Sequence, residues 1–146
     1  MKIGIACDHG GIEYKEIIKK MLAEQGHEVI DYGCHSSESC DYPDFAYQCA
    51  KSVSMGINER GIVVCGSGIG VSIVANKVKG IRCALCSETT SAVLSRSHNN
   101  ANMLAMGQRI IGEQMMKDIV NAWMNTPFSQ EERHQQRIKK IAALEE

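Results

Sequence analysis

The chain has 146 residues, of which 44% are hydrophobic and 23% are charged, as is typical of a single compact domain with its own core. Sixteen lysines and arginines against seventeen aspartates and glutamates give a formal net charge of -1, which argues against a general binder of nucleic acid or of anionic membranes. We therefore expect residues 1–146 to form one domain that binds neither nucleic acid nor a membrane.

Cysteine usage predicts the redox environment. Seven cysteines occur, at positions 7, 34, 40, 49, 65, 83 and 86. An odd number in a chain long enough to bury its own core does not indicate a secreted disulfide framework. Asp8 comes too early for a signal peptide, and no apolar run approaches the ~18 residues of a membrane span. We expect reduced thiols and a cytoplasmic location.

Strand-like and helix-like segments alternate along the chain. Short runs of small and branched apolar residues, typical of buried strands, occur at 2–7, 28–32, 61–65, 81–86 and 102–106. Between them, apolar residues recur at helical spacing, for example within 14–22, 45–53 and 115–123. This alternation predicts a doubly wound, Rossmann-like three-layer α/β/α fold with a five-stranded parallel sheet. It does not determine the order of the strands.

The C-terminal segment, residues 129–146, differs from the rest. It follows Pro127, is highly charged, and has sparse apolar positions at Ile138, Ile141 and Leu144. This pattern predicts a surface helix that has left the alternating core. Such an arm either covers an edge of its own subunit or reaches across to another, and we favour the second interpretation.

Ligands of open parallel sheets bind at the carboxyl ends of strands, and the first predicted strand is followed by a polar loop. This loop contains Asp8, His9, Gly10 and Gly11. Asp8 has a purely structural interpretation as a helix cap. The two glycines favour a functional interpretation, because they let the backbone approach a ligand closely.

The third predicted strand ends in the sequence Cys65-Gly66-Ser67-Gly68-Ile69-Gly70, which precedes a predicted helix. Alternating glycines expose successive amide hydrogens, and the positive end of the helix would stabilise an anion or a developing oxyanion. The same field favours a thiolate, so Cys65 is a candidate base or nucleophile. The loop is not a dinucleotide fingerprint, because Val71 stands where that motif requires glycine, and it lacks the ending of a P-loop.

Other polar residues have both structural and functional interpretations. His98 and Asn99 close the fourth helical segment, where such a pair is commonly a cap, and Arg109 follows the fifth strand. Arg133 and Arg137 are four residues apart, so they form either a solvated helix face or a fork around one phosphate.

The cysteines do not predict a metal site. Cys83 and Cys86 have C-x-x-C spacing, but in a strand their side chains would point to opposite faces, and no second ligand pair accompanies them. A redox or metal protein built on these cysteines is therefore an alternative that we do not favour.

Taken together, these motifs resemble those of the type B ribose-5-phosphate isomerases, within the family that also holds the galactose-6-phosphate isomerase subunits. The resemblance runs nearly end to end. It rests on Cys7-Asp8-His9-Gly10-Gly11, Asp41-Tyr42-Pro43, residues 61–70, Ala75-Asn76-Lys77, Gly80-Ile81-Arg82, residues 94–102 and Arg133-His134-Gln135-Gln136-Arg137.

The resemblance implies that an aldose phosphate and a ketose phosphate interconvert through a cis-enediolate, without a metal or an organic cofactor. Cys65 would be the base that moves a proton between C1 and C2, and Ser67 would keep a hydroxyl beside the reacting oxygens. His98 would open the furanose ring. Another branch of the family uses a glutamate at the place of Val71, which cannot serve as a base, so the version with a cysteine applies here.

The resemblance also implies a set of residues around the substrate. The amides of the loop would hold the enediolate, and Asp8 and Asn99 would position hydroxyls. The loop residues are Gly66, Ser67, Gly68, Ile69 and Gly70, and the residues implied around the phosphate are His9, Arg109, Arg133 and Arg137.

In relatives the site lies between two subunits. The resemblance therefore implies a homodimer or a dimer of dimers with shared active sites, in which His98 and the arginines of the arm meet the other subunit's Cys65. We expect ribose 5-phosphate and ribulose 5-phosphate as substrates. Two alternatives stay open: a six-carbon aldose phosphate such as allose or galactose 6-phosphate, and a phosphosugar- or nucleotide-binding module without catalysis.

Overall fold

Five parallel strands alternate with helices in the computed structural model, which describes residues 1–145. The strands are β1 (Lys2–Cys7), β2 (Glu28–Asp31), β3 (Arg60–Cys65), β4 (Cys83–Leu85) and β5 (Met103–Gly107). The helices are α1 (Ile12–Glu24), α2 (Tyr42–Ser54), α3 (Ile69–Asn76), α4 (Thr89–Ser97), α5 (Glu113–Asn125) and α6 (Glu132–Ala142). The predicted fold class, a doubly wound parallel sheet with a C-terminal helical arm, is confirmed.

The strand order is β2-β1-β3-β5-β4. The chain moves outward from β1 to β2 and then crosses back to β3 on the other side of β1, so the winding direction reverses between β1 and β3. In open α/β sheets, such a reversal leaves a crevice at the carboxyl ends of the two strands. Because Cys7 pairs with Val64 in this register, Asp8 and Cys65 leave the sheet side by side.

Helices cover both faces of the sheet. One apolar layer packs α1, α4 and α5 against strand residues such as Ile5, Ile62 and Leu104. The other packs α2 and α3 against alternate residues such as Val63 and Ala105. Successive strand residues therefore point to opposite layers, which explains why the strands read as continuous apolar runs. Burial on both faces holds the strand ends, and hence the loops that follow them, in fixed positions.

The C-terminal arm folds back onto its own chain. The Ser129 amide donates to the Ser97 carbonyl at 3.0 Å, and the Gly80 amide donates to Glu145 Oε2 at 2.8 Å. The predicted surface helix is present as α6. Its crossing to a second subunit stays a prediction.

Within residues 1–145, every helix is either too short or too polar to cross a membrane.

Candidate active site

The loop after β1 is shaped by Asp8, which is only 7% exposed. Its Oδ1 accepts a hydrogen bond from the Gly10 amide at 2.8 Å, which closes an Asx turn. The N-terminus of α1 at Gly11 has no side-chain cap, so the interpretation of Asp8 as a helix cap is not what the structure shows. A Cβ at Gly11 would lie 2.6 Å from the Val64 carbonyl oxygen, so this loop reaches β3 only because residue 11 is glycine.

His9 follows Asp8 and is held by the segment that leads into α2. The Cys40 amide donates a hydrogen bond to His9 Nδ1 at 3.2 Å. Because Nδ1 accepts, the neutral ring carries its proton on Nε2. His9 can therefore donate from Nε2 to an anion.

The loop after β3 curls around the Cys65 sulfur. Cys65 is 5% exposed, and its Sγ accepts a hydrogen bond from the Gly68 amide at 3.1 Å. Gly68 is also the N-cap of α3, so both an amide hydrogen and the positive end of that helix are directed at the sulfur. These groups are oriented to stabilise negative charge on an atom bound in this loop, and the role of Cys65 as a base stays a prediction.

Ser67 lies in the same loop and has one hydrogen-bond role already set. Its Oγ accepts from the Ile69 amide at 3.1 Å. Because the oxygen accepts there, the hydroxyl hydrogen is oriented elsewhere and can donate to a ligand oxygen.

The loop after β5 joins the glycine loop through backbone hydrogen bonds. The Gln108 amide donates to the Cys65 carbonyl and the Arg109 amide donates to the Gly66 carbonyl, both at 2.9 Å. A Cβ at Gly66 would lie 3.4 Å from Arg109 Cδ and 3.5 Å from Nε, so the arginine side chain extends across Gly66. The strand order thus brings Arg109 to the anion-stabilising loop.

Tyr42 is a residue of this site to which the sequence assigned no role. It is the first residue of α2, and a Cβ at Gly70 would lie 2.5 Å from its Cζ and 2.8 Å from its hydroxyl oxygen. The phenol ring therefore covers the end of the glycine loop. One signal was available: Pro43 marks a helix start, and a helix that follows a parallel strand starts at the carboxyl edge of the sheet.

Four of the predicted site residues lie at the opposite edge of the sheet. Helix α4 starts beside the carboxyl end of β4 and runs back, so His98, its C-cap, is near the amino ends of the strands. There the Asn102 carbonyl accepts from the Gly61 amide. Cys65 lies four residues further along β3, roughly 13 Å away. One chain therefore does not bring together its own Cys65 and the group His98, Asn99, Arg133 and Arg137.

The four residues of this second group are all exposed in the single chain. The Asn99 carbonyl accepts from Arg82 Nε, and Arg133 Nε donates to Glu131 Oε2, each at 2.9 Å. The His98 ring packs against His134 of α6 with a centroid distance of 4.4 Å. Arg133 and Arg137 are both exposed on the surface of α6.

Of the other cysteines, four are buried, namely Cys7, Cys34, Cys49 and Cys86, whereas Cys40 and Cys83 are partly exposed. Burial raises the pKa of Cys49 to about 12 and that of Cys86 to about 11, so these thiols stay protonated and unreactive. Cys83 packs in the layer of α2 and α3 and Cys86 in the opposite layer. Among residues 1–145, no three His, Cys, Asp or Glu side chains are arranged to hold a metal ion.

Comparison with known proteins identifies relatives over the whole length. The family described as Ribose/Galactose Isomerase matches residues 3–141. Ribose-5-phosphate isomerase B of Escherichia coli is 48% identical over 99% of this chain and 97% of its own.

Two solved structures are similar throughout. The chain superposes on ribose-5-phosphate isomerase B of Clostridium thermocellum with a TM-score of 0.97 and 50% identity, covering 99% of this chain and 97% of the other. The enzyme of Mycoplasma genitalium with bound ribulose-5-phosphate gives a TM-score of 0.93 and 38% identity, covering 97% and 94%. The matched residues include both edges of the sheet described above, and the chain belongs to the ribose/galactose isomerase family.

Proposed function

We propose that this protein interconverts ribose 5-phosphate and ribulose 5-phosphate through a cis-enediolate, with Cys65 as the base. The observation that carries the proposal is the position of the Cys65 sulfur, at the crevice between β1 and β3 and 3.1 Å from the Gly68 amide. The E. coli relative and the ligand in the M. genitalium structure support a five-carbon sugar phosphate.

Each part of the loop after β3 has a role in the proposed proton transfer. In the aldose-to-ketose direction, the Cys65 thiolate removes the proton on C2 of the open-chain sugar, and the electron pair moves onto the carbonyl oxygen at C1. The loop amides and the Ser67 hydroxyl stabilise the resulting oxyanion. The thiol then returns the proton to C1, while the hydroxyl proton on O2 passes to O1, and the ketone forms at C2.

Asp8 and Asn99 are assigned to the sugar hydroxyls. Asp8 is buried at the mouth of the crevice and keeps one carboxylate oxygen, Oδ2, that is not used in the Asx turn. A carboxylate oxygen in this position can accept a hydrogen bond from a hydroxyl and so fix the sugar relative to Cys65.

The phosphate site is assigned to basic groups from two subunits. His9 and Arg109 lie beside Cys65, whereas Arg133 and Arg137 project from α6 at the other edge of the sheet. A homodimer, or a dimer of dimers, in which one subunit's arm meets the other's crevice would complete the site. A phosphate between His9 and three arginines would be strongly anchored.

An exposed apolar surface beside the crevice supports this assembly. Ile69 and Ile73, one turn apart on α3, are 52% and 55% exposed in the single chain. Large apolar side chains that share one exposed helix face are typical of subunit contacts. A second subunit on this face would lie next to the glycine loop.

The proposal is tested by incubating the pure protein with ribose 5-phosphate, allose 6-phosphate and galactose 6-phosphate, with and without a chelator. We expect ketose formation from ribose 5-phosphate at the highest kcat/KM, and no loss on chelation. A higher kcat/KM with a six-carbon substrate would change the assigned sugar. Binding without any isomerisation would favour a non-catalytic module.

Two variants test the role of the sulfur. Cys65→Ala should lower kcat by about a hundredfold or more while KM changes little, the usual scale for loss of a general base. Cys86→Ala removes a buried thiol outside the crevice and should keep kcat within about threefold. Unchanged kcat in the Cys65 variant would refute the assignment.

A further inference from the structure

We propose that His134 is a positioning residue for His98: its buried ring holds the His98 imidazole in the orientation that opens the sugar ring. This inference rests on the proposed ring-opening role of His98, and it concerns a residue to which neither the sequence analysis nor the proposed mechanism assigned a function.

The contact between the two rings is close. Their centroids are 4.4 Å apart and their planes are tilted by 32°. His98 is the exposed C-cap residue of α4, and within residues 1–145 its side chain makes no hydrogen bond. An exposed histidine side chain that makes no hydrogen bond samples several rotamers, and packing against the His134 ring restricts these.

His134 itself is firmly anchored. Its side chain is only 5% exposed, although α6 is otherwise a surface helix. Its Nδ1 lies 2.8 Å from Ser129 Oγ, and Ser129 is tied to α4 because its amide donates to the Ser97 carbonyl at 3.0 Å. The residue before His98 and the ring beneath His98 are thus connected through one serine.

Burial, together with the neighbouring cationic groups, favours the neutral form of the His134 ring. Burial holds its pKa below the ordinary value, and the neighbouring His98 acts in the same direction. Glu131 opposes this shift, whereas Arg133 and Arg137 add to it. A neutral ring can pack against His98 without electrostatic repulsion while His98 exchanges a proton with the substrate.

The two substrates differ in whether they need ring opening, so comparing them separates an effect on His98 from an effect on proton transfer by Cys65. Ribose 5-phosphate is a furanose, so its ring must open: a base takes the proton from the O1 hydroxyl and an acid protonates the ring oxygen as the C1–O4 bond breaks. Ribulose 5-phosphate is open-chain, because the oxygen that would close its ring carries the phosphate. Loss of a C1 proton from the ketose therefore requires Cys65 but no ring opening.

The test compares His134→Ala, His134→Phe and the control Lys140→Ala, which removes an exposed residue of the same helix. Two rates are measured by NMR: conversion of ribose 5-phosphate, and exchange of a C1 hydrogen of ribulose 5-phosphate with D₂O. For His134→Ala we expect kcat for ribose 5-phosphate to fall about tenfold, KM to stay within about threefold, and ketose exchange within about twofold. His134→Phe keeps a ring beneath His98 and should recover most of the loss.

An equal loss of both rates would overturn the proposal, as would a rise in KM alone, which would make His134 a phosphate ligand. If His134→Ala does not fold, the Phe variant decides: it should retain both rates, with the ring-proton shifts of His98 still displaced by the neighbouring ring. If His98→Ala converts ribose 5-phosphate normally, the ring-opening role fails. The NMR shifts of His98 in the His134 variants then still report whether His134 orients it.

Discussion

Gly68 brings an amide to the Cys65 sulfur through a backbone conformation that a residue with a side chain rarely adopts. Its φ is +78°, and a Cβ there would lie 2.7 Å from both Leu85 Cδ1 and the Met106 carbonyl carbon. The position therefore requires glycine for two separate reasons, the left-handed backbone and the lack of space. Both reasons follow from the need to turn from β3 into α3 while facing the sulfur.

A pair of alanine substitutions separates these two reasons. Gly26 has φ +88°, but a Cβ there would have no neighbouring atom within 4 Å, so Gly26→Ala should cost only the backbone strain, about 1–2 kcal/mol of unfolding free energy. Gly68→Ala adds the clash and should cost about 3 kcal/mol or more and reduce kcat. Urea unfolding measures the loss of unfolding free energy in each variant, and the ribose 5-phosphate assay measures kcat. Equal costs, with activity retained, would show that the loop tolerates a side chain.

At the scale of elements, an ion pair joins α1 to the end of β2. Lys15 is fully buried, and its Nζ lies 2.9 Å from Asp31 Oδ2 and donates to the Cys34 carbonyl oxygen at 2.5 Å. The segment that follows contains Cys40, whose amide orients His9. The ion pair thus stabilises the outer strand β2 and the path of the backbone from β2 toward the proposed phosphate site.

Removing the Asp31 carboxylate tests how far the stability of the fold depends on this ion pair. Asp31→Asn leaves the buried Lys15 ammonium without its counter-charge and should lower the unfolding free energy at pH 7 by about 3 kcal/mol. Glu16→Gln, which removes only a surface ion pair with Lys19, should cost less than about 1 kcal/mol. Urea unfolding provides the comparison. A cost for Asp31→Asn no larger than the control would refute the role of the pair.

The pH dependence follows from the folded state of Asp31. Burial alone would raise the pKa of this carboxyl group, but hydrogen bonds from Lys19, Lys15 and the Gly33 amide outweigh it and lower the pKa. The unfolded chain therefore binds the proton first as the pH falls. The stabilisation is fully present above about pH 4–5 and is lost as the pH falls through the folded pKa, so the difference between wild type and Asp31→Asn should shrink at low pH.

Local sequence patterns predict which segments form helices and strands better than they predict how those segments contact one another. The apolar run predicts a strand over 81–86, but β4 spans only Cys83–Leu85. Ile81 lies in a turn, where its amide donates to the Val78 carbonyl. Ile81 is buried there, and burial alone does not distinguish a turn from a strand. The arm was predicted as a helix from its spacing. Its docking on its own chain depends on contacts between residues far apart in sequence, such as Gly80 with Glu145, for which periodicity gives no signal.

At the scale of the molecule, the candidate residues divide between the two edges of the sheet. The rule that ligands bind at the carboxyl ends of parallel strands selects the loops of Asp8 and Cys65, and the structure places these two loops side by side. The strand order, which places Arg109 beside them, depends on which side each crossover takes and could not be inferred from composition or spacing. Residue types and spacing left His98 with a capping role as an alternative, and its ring-opening role came only from the resemblance. A site shared between subunits would explain the distance between His98 and Cys65 within one chain.

A complementation experiment tests whether the site is shared. Cys65→Ala and His98→Ala should each be nearly inactive toward ribose 5-phosphate. If they are unfolded and refolded together, half of the dimers should be mixed, and each mixed dimer should have one intact site of two, which restores about a quarter of wild-type activity. No recovery in a mixture shown to contain mixed dimers would place both residues in a site formed by one chain.

The role of the sulfur as a base is tested most directly by following the C1 hydrogens of ribulose 5-phosphate in D₂O, with wild type and Cys65→Ala compared at saturating ketose. We predict that the wild type replaces one C1 hydrogen with deuterium, and that the variant still binds the ketose in calorimetry but exchanges at least about a hundredfold more slowly. Exchange at the wild-type rate in the variant would contradict the account, because another group would then remove the proton.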